Sequence, residues 1–277
     1  MPPPVSSHMS NDAWLVAIAG FEALVMSLAW AITLRPGHSG WIDAIWSGSV
    51  GLASVAVALD DGGIRPRALL VAGLVGIWAL RLGGAIARRT ASGGDDPRYV
   101  ELRQRWGAAY AWRSFLLLMV QAACATALVV SVWAAARNPS PVWAWSDVAG
   151  SAVVLCGIGG EALADEQLRR FRAGRAHAGQ VCDRGLWSVS RHPNYFCEWL
   201  VWSGLAVISI GPDGGRPAGW LGLIGPVLIY VLLVHVSGIP LLEAHMLRSR
   251  GAAYGRIQAR ISAFWPALPR RGERSSS

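Results

Sequence analysis

The stretch SFLLLMVQAACATALVVSVWAAA, residues 114–136, runs for 23 positions without one charged side chain. As a helix rising 1.5 Å per residue it would be about 35 Å long, enough to cross a hydrocarbon core of about 30 Å. Working outward, six further apolar runs follow the same logic: residues 14–33, 42–59, 68–87, 143–163, 196–210 and 218–242. Runs 42–59 and 196–210 are short, so they tilt or re-enter. Within lipid a helix satisfies its own backbone polar groups. The expected fold is therefore all-α, a polytopic integral membrane protein with about seven transmembrane helices.

Composition agrees. Of the 277 residues, 53% are hydrophobic and 15% charged, against about 25% charged in a typical soluble domain. All 25 basic residues are Arg. Their placement matters more than the net charge of +8, because cytoplasmic loops retain basic residues. Arg88, Arg89, Arg98, Arg103, Arg105 and Arg113 follow the third run. Arg169, Arg170, Arg172, Arg175, Arg184 and Arg191 follow the fifth, and seven more Arg follow the seventh. The alternate loops hold Arg65, Arg67, Arg137 and Arg216. This sorting predicts an outer N-terminus and a cytoplasmic C-terminus. Residues 1–12 and 269–277 read as disordered ends flanking one membrane domain, 13–268. The four Cys show no zinc-type spacing, so no metal site is expected.

Chemistry concentrates between Asp165 and Glu198. Asp165, Arg169 and Arg172 share a face if the fifth helix continues past the apolar run. The string GLWSVSRHPNYFCEW, residues 185–199, follows. Pro193 suits a helix start, which leaves Arg191 and His192 in the loop and puts Asn194, Tyr195 and Glu198 on the first turns. Arg172 and Arg191 can grip phosphate oxygens bidentately, while Asn194 and Glu198 can bind a carboxamide or ribose hydroxyls. The structural alternative is an interfacial Arg–Glu network that pins the loop. Glu22 reads equally as a functional carboxylate or as a hydrogen-bond partner of a neighbouring span. Asp43 reads as an interfacial cap or as an acid facing a substrate cavity. Asp95 and Asp96 before Pro97 signal a helix start ahead of Tyr99 and an amphipathic, Arg-bearing stretch. Beyond the seventh run lie Glu243, His245, Arg250 and Tyr254.

The GLWSVSRHPNYFCEW string resembles the C-terminal signature of the steroid 5α-reductase-like membrane reductases, most closely the bacterial branch that carries RHPNY. GWIDAIW (40–46), DDPRYVELRQRWG (95–107) and the segment 238–266 resemble it too, so the likeness runs from about Gly40 to Pro266. It implies NADPH held on the cytoplasmic side and hydride transfer to a C=C bond of a steroid-, isoprenoid- or lipid-like substrate entering from the bilayer. Asn194 and Glu198 match the family's cofactor segment, and Asp165 and Arg172 match its Asp and phosphate-facing Arg. The expected cofactor set is Asp165, Arg172, Arg191, His192, Asn194, Tyr195, Glu198, Glu243 and Tyr254. Asp43, by position, and Tyr99 are the candidates for polarising the substrate carbonyl. Two departures stand out: Glu161 replaces the family's Asn, and the steroid enzymes' Gln-Glu and Tyr have no clear match. No nucleic-acid partner is expected, and the expected location is a bacterial cytoplasmic membrane. RHPxY also occurs in isoprenylcysteine carboxyl methyltransferases. An S-adenosylmethionine-dependent methyltransferase using Arg191, His192, Tyr195 and Glu243 is thus the alternative, with a non-catalytic transporter or scaffold as the third reading.

Overall fold

The computed structural model describes residues 11–35, 37–60, 63–91, 96–174 and 180–268. Among the described residues there are ten α-helices and no strand. They are α1 (Asn11–Thr33), α2 (Trp41–Leu59), α3 (Arg65–Ala91), α4 (Pro97–Trp106), α5 (Tyr110–Ala136), α6 (Trp145–Ala173), α7 (Pro193–Ile210), α8 (Ile224–Val231), α9 (Ile239–Arg250) and α10 (Ala252–Arg260). Of the two ends expected to be disordered, residues 1–10 and 269–277 lie outside the described residues, while Asn11 and Asp12 open α1. Asp95 and Arg175 also lie outside them.

Six helical segments are long and apolar enough to cross a membrane: Asp12–Thr33, Trp41–Leu59, Arg65–Ala91, Arg98–Ala136, Trp145–Ala173 and Pro217–Arg250. The apolar run at 196–210 forms α7, whose 18 residues stand outside those six. Outward-facing positions on the long helices carry Val16, Leu52 and Leu80, which are 72%, 64% and 81% exposed. Leu and Val on so many outer faces suit lipid rather than water. The chain is an integral, multi-pass membrane protein.

Local chemistry explains where the helices begin and break. Asp96 caps α4 by accepting from the Arg98 N–H at 2.9 Å, with Pro97 in the first turn, as the Asp-Pro signal predicts. The last long segment is interrupted: a 3₁₀ stretch (Pro217–Leu223) leads into α8, and a π-helical turn (Leu232–Val236) separates α8 from α9. The Ser237 and Gly238 N–H groups both donate to the Leu232 carbonyl, at 2.8 and 3.2 Å. Pro240 has no N–H to give. A Cβ on Gly238 would lie 2.4 Å from the Leu233 carbonyl oxygen, so only glycine fits this bend.

The chain divides into two compact units, residues 1–151 with 205–225 and residues 152–204 with 226–277. In the first unit, α2 and α3 approach until a Cβ on Gly51 would meet the Ala79 Cβ at 2.2 Å. At one end of this unit Arg67 is fully buried. Its guanidinium makes two hydrogen bonds to Asp147, at 2.9 and 2.8 Å, and donates to the carbonyls of Asn138, Ser140 (2.9 Å) and Pro141 (2.8 Å). Asp147 in turn accepts the N–H of Trp143, whose φ of 65° is unusual for a bulky residue. Arg137 pairs with Asp60, which also accepts from the Trp14 indole at 3.0 Å. Arg216 donates to carbonyls at the end of α5, at Ala134 (2.7 Å) and at Arg137 just past it (2.9 Å). Three of the four Arg in the Arg-poor loops are therefore internal clamps, which accounts for their departure from the charge sorting.

Removing one partner of a buried pair strands the other charge, at a cost of about 3–5 kcal/mol. Arg67→Ala is expected to lower the thermal midpoint of the detergent-purified protein far more than Arg65→Ala does. Equal midpoints would show that the clamp is not a main support of this unit.

Candidate functional site

Each unit holds a polar cluster that includes residues singled out from the sequence. In the first unit, Arg98 on α4 pairs with Asp43 on α2 and, through Nε and Nη2 at 2.9 Å each, with Asp96. The Asp96 N–H donates to Ser39 Oγ at 3.0 Å, and Thr90 Oγ1 donates to the Gly40 carbonyl at 2.9 Å. The first bond seats the start of α4 against the start of α2, and the second ties the end of α3 to the same place. The next residue, Tyr99, is 4% exposed and packs with Met26, Ala29, Ile42, Leu118 and Ala122. Its hydroxyl accepts from Gln121 Nε2 on α5 at 3.2 Å, which leaves the phenolic hydrogen available to donate.

The structure thus gathers Asp43 and Tyr99 around Arg98. Their chemistry differs: Asp43 is an ion-paired acceptor, and Tyr99 is a neutral donor in an apolar wall. Arg98 and Gln121 were not singled out from sequence. A lone Arg in a basic loop and a lone Gln in an apolar span carry no signal until their partners are known. Burial works to raise the Asp96 carboxyl, but hydrogen bonds and charge from Arg98 outweigh it and hold Asp96 below its ordinary 3.8. Glu22, fully buried on α1, accepts from Ser49 Oγ on α2 at 2.7 Å. That is the neighbouring-span hydrogen bond weighed from sequence.

In the second unit, α6 and α7 run antiparallel and very close. A Cβ on Gly160 would meet Cys197 Sγ at 2.7 Å, and one on Gly157 would meet the Cys197 carbonyl at 2.7 Å and Val201 N at 2.9 Å. Small residues allow such helix approach in membranes. Continued along both helices from the Gly160–Cys197 approach, this antiparallel register brings Glu161 toward the Cys197–Glu198 turn and Asp165 toward the first turn of α7. The loop between is pinned to α6: Trp187 Nε1 donates to the Ala164 carbonyl at 3.0 Å, and the Leu186 N–H donates to Gln167 Oε1 at 2.9 Å. Glu198 is 7% exposed and accepts from Trp202 Nε1 at 2.8 Å. Asn194 is half-buried, and its amide has no hydrogen-bond partner among the described residues. Arg172 is exposed on the last turn of α6.

The remaining expected residues form a network of their own. Glu243 on α9 accepts from Arg191 Nε (2.7 Å) and Nη2 (3.1 Å), faces His192 Nε2 at 3.0 Å, and accepts from Gln258 Nε2 at 2.7 Å. Arg191 Nη1 donates to the carbonyls of Gln258 (3.1 Å) and Ile261 at the end of α10. Tyr254 is 3% exposed beside them; burial first, then the Glu243 charge, pushes its phenol up, so it stays neutral. Tyr195 stacks on His192 with centroids 5.3 Å apart. Arg191, His192, Glu243 and Tyr254 therefore satisfy one another, with Gln258 as a member that the sequence did not flag. Asp165 and Arg172 lie on the helix that packs against Asn194 and Glu198.

Comparison with known proteins places the chain. The family described as a protein of unknown function (DUF1295) matches residues 29–261. The chain belongs to this family of membrane proteins, which is related to steroid 5α-reductase. No curated protein and no solved structure matches it.

Glu243→Ala removes the acceptor that gathers Arg191, His192 and Gln258. It is expected to free the segment after α10, seen as faster limited proteolysis there than in wild type; unchanged cleavage would mean that the segment is held by its other contacts. A carboxyl with a lowered folded value stabilises above its ordinary value, and that stabilisation fades as pH falls through the folded one. Asp96→Asn should therefore lower the thermal midpoint near neutral pH, with the gap closing only below 3.8. A gap that is constant down to about pH 2 would contradict the Arg98 pairing.

Proposed function

We propose that this member of the family is a membrane-embedded, NADPH-dependent reductase of a C=C bond in a hydrophobic substrate of steroid, isoprenoid or lipid type. The observation that carries the reading is the donor set on α6 and α7. The unpartnered, half-buried carboxamide of Asn194 belongs to the turn that the register brings toward Asp165, one turn from Glu198. Arg172 is exposed two turns along from Asp165. Amide, carboxylates and guanidinium are the groups that a carboxamide, ribose hydroxyls and phosphates require, so the residues fit the cofactor.

In this reading Arg172 holds a phosphate, Asn194 meets an amide, and Asp165 and Glu198 accept from hydroxyls. The Arg191–Glu243 network acts behind them, fixing the loop that delivers Asn194 rather than gripping phosphate. When bound, the cofactor would supply the hydride. In the first unit, taken by itself, Tyr99 has a hydrogen to give to a carbonyl, and the Asp43–Arg98–Asp96 bonds hold α4 so that Tyr99 keeps its position. The methyltransferase alternative needs Arg191, His192 and Glu243 for its cofactor, and these three are occupied with one another. We also propose that α7 is a seventh span, with the N-terminus outside and the Arg-rich loops in the cytoplasm of a bacterial cell. NADPH is found there.

A ligand that binds only the folded state stabilises it, by about 2.7 kcal/mol at a hundredfold excess over Kd. Detergent-purified protein should show a raised thermal midpoint with NADPH and none with S-adenosylmethionine. Asn194→Ala should abolish that rise while leaving the ligand-free midpoint close to wild type. A rise with S-adenosylmethionine alone would replace reduction by methyl transfer, and no rise with either would end the proposal.

A further inference from the structure

In the second unit, the segment after α10 lies alongside the residues that precede α7. The Arg191 N–H donates to the Ser262 carbonyl at 2.8 Å, Ser190 Oγ to the Phe264 carbonyl at 3.0 Å, and the Ala267 N–H to the Val189 carbonyl at 2.9 Å. These bonds hold the segment next to the first turn of an apolar helix. There Phe196, Trp199, Tyr230, Phe264 and Trp265 form one aromatic cluster, with ring centroids 5.1–6.3 Å apart. Clustered Trp and Tyr at the end of an apolar helix mark headgroup depth.

A groove of about 280 Å³ opens on this segment, lined by Arg191, Gln258, Arg260, Ser262, Ala267 and Leu268, among others. No acidic residue lines it among the described residues. The end of α10 would repel an anion through its free carbonyls, but Arg191 caps those of Gln258 and Ile261. Arg260 at the groove and Arg256 one turn earlier are both exposed, and neither makes an ion pair or hydrogen bond among the described residues. The groove also has an apolar edge: Leu268, which lines it, is 88% exposed, and Trp265, three residues earlier, is 49% exposed.

We infer that this groove binds the headgroup of an anionic phospholipid. Its phosphate lies against Arg260 and Arg256, and its acyl chains lie over Leu268 and Trp265. Two features select a lipid over a soluble anion: the apolar rim, which a free phosphate cannot use, and the position beside an apolar helix. Basic residues at such a surface each contribute about 1 kcal/mol toward anionic lipid. The site does not depend on the reductase reading.

The test is native mass spectrometry of the full-length protein in detergent, with phosphatidylglycerol and phosphatidylcholine added in equal amounts. Wild type should retain phosphatidylglycerol preferentially. The double variant R256Q/R260Q should lose that preference by about tenfold or more, and R260K, which keeps the charge, should retain most of it. The double variant's lipid-free thermal midpoint should match wild type, because both side chains are exposed. An unchanged preference in R256Q/R260Q, or none in wild type, would overturn the site. Displacement of the lipid by millimolar inorganic phosphate would make it a general anion site and overturn the lipid assignment. Loss of the NADPH-dependent midpoint rise in the double variant would hand the groove to the nucleotide.

Discussion

A polar or charged group carried into a membrane protein has little water to fall back on, so its partner must come from the chain itself. That constraint runs through both units. Arg67 meets it with two bonds to Asp147 and three to backbone carbonyls. Glu22 meets it at one oxygen through Ser49. The broken segment after α8 meets it by turning two N–H groups onto the Leu232 carbonyl. For the two side chains the partners arrive from a distant part of the sequence, whereas the break is satisfied within a single turn.

The same constraint shapes the candidate chemistry. Of the residues with the right functional groups, those whose valences are filled by protein are poorly placed to serve a ligand. Arg191 is filled by Glu243 and by the end of α10, and it ties both to the loop before α7. Asn194 is not filled, and it stands on the helix that glycines 157 and 160 bring against α6. In the first unit, Asp43 is neutralised by Arg98 while Tyr99 retains a hydrogen to give. Two groups that look alike as candidates in the sequence thus separate into a holder and a donor.

The helical, membrane-embedded character of the chain was legible because it rests on local properties. A run such as 114–136 has the length and hydropathy of a span whatever it packs against, and Asp96-Pro97 starts a helix by local hydrogen bonding. The interruption near Ser237 was less legible. Gly238 and Pro240 are visible, but the π-helical turn depends on how the Leu232 and Leu233 carbonyls are satisfied. Hydropathy likewise set residues 196–210 beside the other runs, although the 18 residues of α7, with Asn194 and Glu198 on its first turns, stand outside the six candidate spans.

The site was half legible for the same reason. Residue types and spacings in GLWSVSRHPNYFCEW marked the right segment, since an Arg-His-Pro-Asn start to a helix is a local pattern. Whether Arg191 would face a phosphate or a carboxylate turned on Glu243 and Gln258, more than fifty positions away. By itself the sequence determined the class of protein, most helix boundaries and the segments that bear chemistry, because length, hydropathy and capping act within a few residues. Only the tertiary structure decided which charges are clamps and which groups stay open, because a buried side chain's role depends on which distant partner fills its hydrogen bonds.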